Sequence, residues 1–273
     1  MNLLRNCRTL VAQPEILKDY FHYQMSRLHH QGQAICPVLD NKFQISGLSG
    51  FSEFHSCQHF ISSQELKFFQ SYAFKPGNVI DVGANLGVIS FLFSEYFSTK
   101  KIHAFEADPF TFQALRQNIE LNTCSNIIAE NVAVAGHDGE IIFNADPVYR
   151  GTNSITNVFD EHTISIPCTT LDTYVKQQSI KDISLLKVDV EGYESLVFEG
   201  AKNLFSQRKI KVVYYEVCPE ITRKADLLPS DATEKLVSHG YLIYRLNSDG
   251  ALTTVDISEI EQISCENLIA ICP

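Results

Sequence analysis

Val79-Ile-Asp-Val-Gly-Ala-Asn-Leu-Gly87 is the stretch whose reading decides the fold. Val79 to Val82 is apolar except for Asp81 and reads as a short buried strand; Gly83 to Gly87 is a tight turn, and Val88 to Phe97 reads as a helix. A strand feeding a Gly-rich turn and then a helix leaves unpaired N–H groups beside the carboxyl end of a parallel sheet, where α/β proteins bind ligands. A side chain at Gly83 or Gly87 would obstruct an approaching ligand.

Two ligand classes compete for this turn. A dinucleotide fingerprint is G-x-G-x-x-G, and Asn85 stands where its second glycine belongs. A P-loop needs a Gly-Lys pair, and none follows. Instead a second strand, Lys101-Ile-His-Ala-Phe105, closes on Glu106, whose carboxylate can accept two hydrogen bonds from a ribose diol. D-x-G-x-x-x-G with an acid at the next strand end is similar to the S-adenosylmethionine site of class I methyltransferases. The plainer alternative is an ordinary βα turn, and Glu106 weighs against it.

The 273 residues suffice for one large α/β domain or a domain with a subdomain, and 45% apolar residues can fill a substantial core, aromatic in character with 18 Phe, 11 Tyr and no Trp. A net charge of −10 argues against a nucleic-acid backbone as the main partner. The charge is uneven: residues 1–75 hold seven Lys or Arg and five Asp or Glu, so the acidity lies in the remainder. Eight cysteines are scattered without a C-x-x-C pair, and neither a signal peptide nor an apolar run of about 18 residues is visible. The expectation is a reduced, cytoplasmic chain with no membrane span.

Taken in order, Pro14 to Leu28 reads as helical, with short strands near 34–39 and 42–45. His55 and His59 have the i, i+4 spacing that grips a metal from a helix face, but the acid of the zincin motif is missing and Phe51, Phe54 and Phe60 suggest packing instead. Ser62-Ser-Gln-Glu65 is a capping box opening a helix to about Tyr72. The helix at 88–97 is apolar nearly all round, so it must be covered on both sides, and the N-terminal segment is its natural outer cover. Asp108-Pro109 starts a helix to about Leu121, a third strand follows near 126–134, and 140–144 with 163–167 forms an inserted hairpin. The connection 145–162 is too long for an ordinary hairpin and carries Arg150 and Ser154, candidate acceptor contacts. A strand at 183–188 ends in Asp189-Val-Glu191, a helix spans 194–204, and a strand at 210–215 ends in Glu216. Ser230 caps a further helix, and 241–246 with 266–272 is a closing antiparallel pair joined through Asn247–Gly250. This alternation specifies a doubly wound α/β fold.

From Val79 onward the chain resembles the FkbM-type S-adenosylmethionine-dependent methyltransferases. The likeness rests on Ile80-Asp-Val-Gly-Ala-Asn-Leu-Gly87, Phe105-Glu106, Asn131-Val-Ala133 before Asp138-Gly139, Gly151-Thr-Asn-Ser154, Thr170-Leu-Asp172, Leu186-Lys-Val-Asp-Val-Glu-Gly-Tyr-Glu194, Tyr215-Glu216 and Asn267-Leu-Ile-Ala270. The resemblance implies a Rossmann-like sheet of seven strands in the order 3-2-1-4-5-7-6 with strand 7 antiparallel, a methyltransferase domain over 76–273, and a cap over 1–75 that binds substrate or mediates a homo-oligomer. It further implies O-methylation of a sugar, polyketide or other small-molecule or glycan hydroxyl. S-adenosylmethionine would lie with its methionine part on Gly83, Ala84, Asn85 and Gly87, its ribose on Glu106 with Ala107 beside it, and its adenine on Asn131, Val132 and Ala133; Asp81 would orient the loop.

An alcohol is a poor nucleophile whose proton is held about as tightly as that of water, with a pKa of about 16. A general base or a divalent cation must intervene. Asp189, Glu191 and Glu216 are the candidates, either as catalytic carboxylates or, for Asp189 and Glu216, as ligands of Mg²⁺. Glu194 is better read as a partner of the following helix end, while Lys187 either supplies a positive charge among these acids or, on the opposite face of its strand from Val188, lies elsewhere. The competing classes are a nicotinamide-dependent oxidoreductase, disfavoured by Asn85, a methyltransferase-like binding subunit without catalysis, disfavoured by intact Asp81, Glu106 and Asp189, and a nucleic-acid methyltransferase, disfavoured by the acidity.

Overall fold

A computed structural model describes residues 14–145, 155 and 163–273. The N-terminal segment contains helix α1 (Pro14–His29), the antiparallel pair β1 (Cys36–Val38) and β2 (Phe43–Ile45), and helices α2 (Phe51–Gln58) and α3 (Ser63–Ser71). The alternating part follows with β3 (Asn78–Val82), α4 (Val88–Tyr96), β4 (Ile102–Phe105), α5 (Pro109–Leu121) and β5 (Ile127–Glu130). Strands β6 (Ala133–Val134), β7 (Gly139–Asn144) and β8 (Thr163–Thr169) lie outside the main sheet. The chain continues through α6 (Leu171–Gln177), β9 (Ile183–Val188), α7 (Glu194–Glu199), α8 (Lys202–Ser206), β10 (Ile210–Val217), α9 (Pro219–Lys224), α10 (Asp231–Ser238), β11 (Leu242–Leu246), β12 (Leu252–Thr254), a 3₁₀ turn (Ile257–Gln262) and β13 (Glu266–Ile271).

The main sheet runs β12-β11-β13-β10-β9-β3-β4-β5. Its five central and right-hand strands, β10 to β5, are parallel, and β13 is antiparallel to both β10 and β11. This is the doubly wound class I arrangement, carried to eight strands by β12 at the edge. Asn247–Gly250 therefore turns the chain into β12, not into the closing strand. The third strand is shorter than expected because the chain bends at Asn131; β6 then joins β8 and β7 in a separate three-stranded sheet that contains the inserted hairpin.

Two further differences have local causes. The helix over 194–204 breaks into α7 and α8 at Gly200, where a Cβ would sit 2.1 Å from the Ala135 carbonyl oxygen; this close approach pins the break. Ser230 precedes α10 but makes no side-chain cap, because its own backbone is already helical. Asp108 caps as expected, accepting from Phe110 N–H, and Thr170 caps α6, accepting from Thr173 N–H.

α4 is buried on both sides, which is why its sequence is apolar all round. Its inner side meets the sheet, and its outer side meets the N-terminal segment, with Phe43 stacked on Phe91 at 5.4 Å and Phe69 edge-on to Phe93 at 5.3 Å. Phe54, Phe68 and Phe69 share one apolar core with Val79, Ile102 and Ile269 of the sheet. Each fully buried Phe is worth about 1.5–3 kcal/mol of transfer free energy, so residues 34–74 are welded to the sheet. The seven cysteines among the described residues are free thiols. No described helix is long and apolar enough to cross a membrane.

A polar tie reinforces this weld. Ser62 Oγ accepts from Glu65 N–H and Glu65 Oε2 accepts from Ser62 N–H, completing the capping box of α3. Glu65 Oε1 also accepts from Tyr214 hydroxyl at 2.6 Å and Asn267 Nδ2 at 2.9 Å, joining α3 to β10 and β13. Ser62→Ala should cost about 1 kcal/mol in urea denaturation, the worth of a cap. Glu65→Ala should cost more, about 2–4 kcal/mol, because it leaves a buried hydroxyl and an amide unpaired. Equal losses in the two variants would mean the tie to the sheet is idle.

Candidate active site

Strands β3 and β9 lie side by side with Asp81 opposite Lys187. Side chains alternate along a strand, so Lys187 and Asp189 share a face. Lys187 Nζ lies 3.2 Å from Asp81 Oδ1 and 3.7 Å from Asp189 Oδ2, and donates to the Gly83 carbonyl at 2.6 Å. Asp81 Oδ2 accepts from Ser90 hydroxyl at 2.5 Å, which ties the strand to α4. Burial disfavours the ammonium charge, but Asp81 and Asp189 outweigh it and hold the lysine above its ordinary range. Of the two positions that the sequence leaves open for Lys187, the observed one is that beside the acids, in keeping with the two-residue period linking it to Asp189.

Gly83 has φ +76°, and a Cβ there would fall 1.8 Å from the Asp189 carbonyl oxygen. Only glycine lets the turn after β3 lie against the end of β9. Glu106 then fixes the turn from the other side: Oε2 accepts from Asn85 N–H at 2.8 Å and Oε1 from Asp108 N–H at 2.9 Å. Burial pushes its carboxyl up to about 7, against the pull of these N–H donors. Asn131 Nδ2 donates to the carbonyls of Glu106 and Ala107, strapping the ends of β4 and β5 together.

The loop after β9 carries Glu191 at φ +55°. Glu194 is almost fully buried and folds back on this loop, accepting from Val190 and Gly192 N–H at 3.1 and 3.2 Å. Burial, reinforced by Asp189, Glu216 and Glu194, pushes Glu191 up to about 8. Burial and Asp189 raise Glu216 to about 7, while Cys265 Sγ donates to its Oε1.

These loops surround a cavity of about 580 Å³, within the range of small-ligand sites. Of the sequence candidates, Gly83, Ala84, Asn85, Glu106, Ala107, Val132, Ala133, Asp189 and Glu191 line it. Asp81, Gly87, Asn131 and Glu216 do not; the first three act on the loops from behind, and Glu216 stands at the end of β10. Arg150 and Ser154 lie outside the described residues, although Ile155 lines the cavity and its carbonyl accepts from Tyr193 hydroxyl at 2.7 Å. Asp189 and Glu216 belong to no three-ligand metal group among the described residues, and the positive charge beside Asp189 is that of Lys187.

Sequence reasoning missed the roof. Ser52, Glu53 and Ser56 of α2 line the cavity with Ser49 and Phe60, and Thr111, Phe143 and Tyr193 complete it. Nothing in the α2 sequence marks it as a cavity wall, because Ser and Glu on one helix side read equally well as a solvated face.

Lys187 can be tested alone. Lys187→Met should destabilise the chain by about 3–5 kcal/mol in urea, because Asp81 is left buried without its counter-charge. Adding Asp81→Asn to Lys187→Met should recover part of that loss. A single variant within about 0.5 kcal/mol of wild type would show that the ion pair does not organise the loops.

Residues 81–245 match the Methyltransferase FkbM domain. AglP of Haloferax volcanii, a hexuronic acid methyltransferase, is 29% identical over 172 residues, 62% of this chain and 66% of that protein. Methyltransferase 1 of Beauveria bassiana is 26% identical over 142 residues, 45% of this chain and 57% of that protein. Both matches span less than two thirds of the relative's own length. Among solved structures, a precorrin-6y C5,15-methyltransferase from Geobacter metallireducens aligns with TM-score 0.43 at 12% identity, over 85% of this chain and 96% of that one. M. jannaschii TYW2 in complex with AdoMet aligns with TM-score 0.41 at 14% identity, over 87% and 84%. Overlaps this loose carry no functional weight. The domain match spans more than half of the 273 residues and takes in the Gly-rich turn, Glu106 and the whole Asp189–Glu194 loop, and on that basis the chain belongs to the FkbM methyltransferase family.

Proposed function

We propose that this chain binds S-adenosylmethionine in the cavity between the β3 and β9 loops and methylates a hydroxyl of a small, sugar-like acceptor. The observation that carries the reading is the juxtaposition, in one cavity, of the Gly83–Asn85 turn, the Glu106 carboxylate and the Asp189–Glu191 loop. The residues suit the cofactor: the turn offers backbone at a place where a side chain cannot fit, Glu106 keeps acceptor capacity beyond its two N–H bonds for a diol, and the acidic lining favours a cation. Val132 and Ala133 present an apolar wall for the adenine. Bound S-adenosylmethionine supplies an electrophilic methyl group on a cationic sulfur.

Glu191 is the general base in this reading. It lines the cavity, and with the described residues it makes no side-chain hydrogen bond, whereas Glu106 and Glu194 are occupied by backbone N–H groups. A base with a carboxyl near 8 is well matched to removing a hydroxyl proton at the moment of transfer. Asp189, held by Lys187, orients the loop. A second mechanism places Mg²⁺ on Asp189 and Glu216 to polarise the same hydroxyl; the Lys187 ammonium, 3.7 Å from Asp189, already gives that carboxylate a cationic partner, so the base is preferred. Residues 1–75 serve as a cap whose α2 closes over the acceptor, while 76–273 form the methyltransferase domain.

AglP is named for a hexuronic acid, so a sugar acceptor is the natural first choice here. The described lining contains Glu53, Glu106, Asp189 and Glu191 and no Lys, Arg or His, which suits a neutral sugar hydroxyl better than a carboxylate. A uronate would need Arg150 as its counter-charge. Methyl transfer from labelled S-adenosylmethionine to a panel of neutral glycosides and uronates tests this directly. Turnover confined to uronates, with Arg150→Gln inactive, would reverse the preference.

Two variants test the assignments within the site. Glu106→Ala should weaken S-adenosylmethionine binding by about 2–3 kcal/mol in calorimetry, the loss of a charged diol acceptor and of the N–H partner that shapes the turn. Wild-type affinity would remove Glu106 from the site. If Glu191 must be ionised to act, kcat/KM should climb with pH and level off above about 8. Glu191→Gln should lower kcat at least about a hundredfold and abolish that climb while cofactor affinity is kept. Activity that disappears with chelator and returns with Mg²⁺ would favour the metal mechanism instead.

A further inference from the structure

The pair His55 and His59 points away from plain packing. Asp19, on the neighbouring α1, meets both rings: its Oδ2 lies 2.7 Å from His55 Nδ1 and 2.8 Å from His59 Nε2. The acid missing from the H-x-x-x-H pattern is thus supplied from another helix, 36 and 40 residues earlier in the chain. All three donor atoms lie within 4.8 Å of one another, and no other such group occurs among the described residues.

The setting is that of a built site with one open side. The Asp19 carboxylate is 8% exposed, whereas the imidazoles are 32% and 49% exposed, so the cluster has a buried back and a wet front. Among the described residues Asp19 has no Lys or Arg partner. A buried carboxylate is costly unless it is paired, and each ring answers it through one nitrogen only. A dication between the three groups satisfies the carboxylate and both ring nitrogens at once. Neighbouring ligands of a tetrahedral ion with bonds of 2.0–2.1 Å stand about 3.3 Å apart. The present contacts would therefore open by about half an ångström, within the reach of two partly exposed rings rotating about their side-chain bonds.

We propose that Asp19, His55 and His59 form a binding site for a divalent transition-metal ion, Zn²⁺ in the first instance, with water in the fourth position, and that the ion fastens α1 to α2. Two imidazoles and one carboxylate are a donor set for zinc and its neighbours, not for Mg²⁺ or Ca²⁺. The site is separate from the proposed cofactor cavity, but α2 is common to both: Ser52 and Ser56 of the same helix line that cavity. An ion held by α1 therefore steadies the cavity roof without touching substrate.

The full chain, free of any histidine tag and stripped with chelator, should bind one Zn²⁺ in calorimetry and gain thermal stability on binding. Co²⁺ added to the stripped chain should give the visible absorption of a four-coordinate site. His55→Gln, His59→Gln and Asp19→Asn should each weaken Zn²⁺ by about a hundredfold or more and erase the thermal gain. If a variant does not fold, Co²⁺-induced shifts of the His55 and His59 ring protons in the wild-type NMR spectrum decide the matter. No Zn²⁺ binding by the stripped chain, Zn²⁺ binding unchanged in folded variants, or Co²⁺ shifts that leave both rings untouched would each overturn the proposal.

Discussion

The site is organised by one buried ammonium. Lys187 is 2% exposed and faces Asp81, Asp189 and the Gly83 carbonyl, so a single charge joins two neighbouring strands and the turn between strand and helix. At 3.2 Å and an effective dielectric constant of about 20, its attraction to Asp81 is about 5 kcal/mol, comparable to the several kcal/mol of desolvation that each buried ion costs. The pair therefore contributes little net stability and a great deal of placement. Because the ammonium is shared between two carboxylates, negative charge is left over at the cavity edge, where Asp189 is partly exposed.

The other carboxylates divide into two kinds. Glu106 and Glu194 spend their oxygens on backbone N–H groups and so shape the two loops, one from each side. Glu191 shapes nothing among the described residues and is the one raised furthest, to about 8, among those that line the cavity. Glu191 and Glu194 both follow β9 within six residues, and their roles differ in whether each reaches backbone N–H groups.

Much of the fold was legible because each element carries local punctuation: Ser62 and Glu65, Asp108 and Pro109, Thr170, and the glycines at 83 and 87. The misreadings have two causes. The break at Gly200 and the bend at Asn131 are set by approaches between segments distant in sequence, which no local pattern encodes, whereas the edge strand β12 is a local hairpin partner of β11 across the Asn247–Gly250 turn. The site was legible where strand ends supplied acids in register, and not where α2 entered from the N-terminal segment. The position of Lys187 is decided by its partner Asp81 on the neighbouring strand, a pairing that its own strand's sequence does not encode. The acid that meets His55 and His59 comes from another helix, so their own local sequence does not show it.

The tie between Glu65 and Asn267 bridges 202 residues. β13 leaves the ribosome long after α3, yet it lies inside the sheet between β10 and β11, and α3 binds to it. During synthesis the N-terminal helices therefore emerge with aromatic faces whose final seat is not yet made. Until β10 arrives with Tyr214, Phe69 has only its aromatic neighbours and α4 to rest against. A nascent chain of this kind is exposed to mispairing for as long as those intervening residues take to emerge, and the aromatic faces of α2 and α3 are the surface that a chaperone would cover.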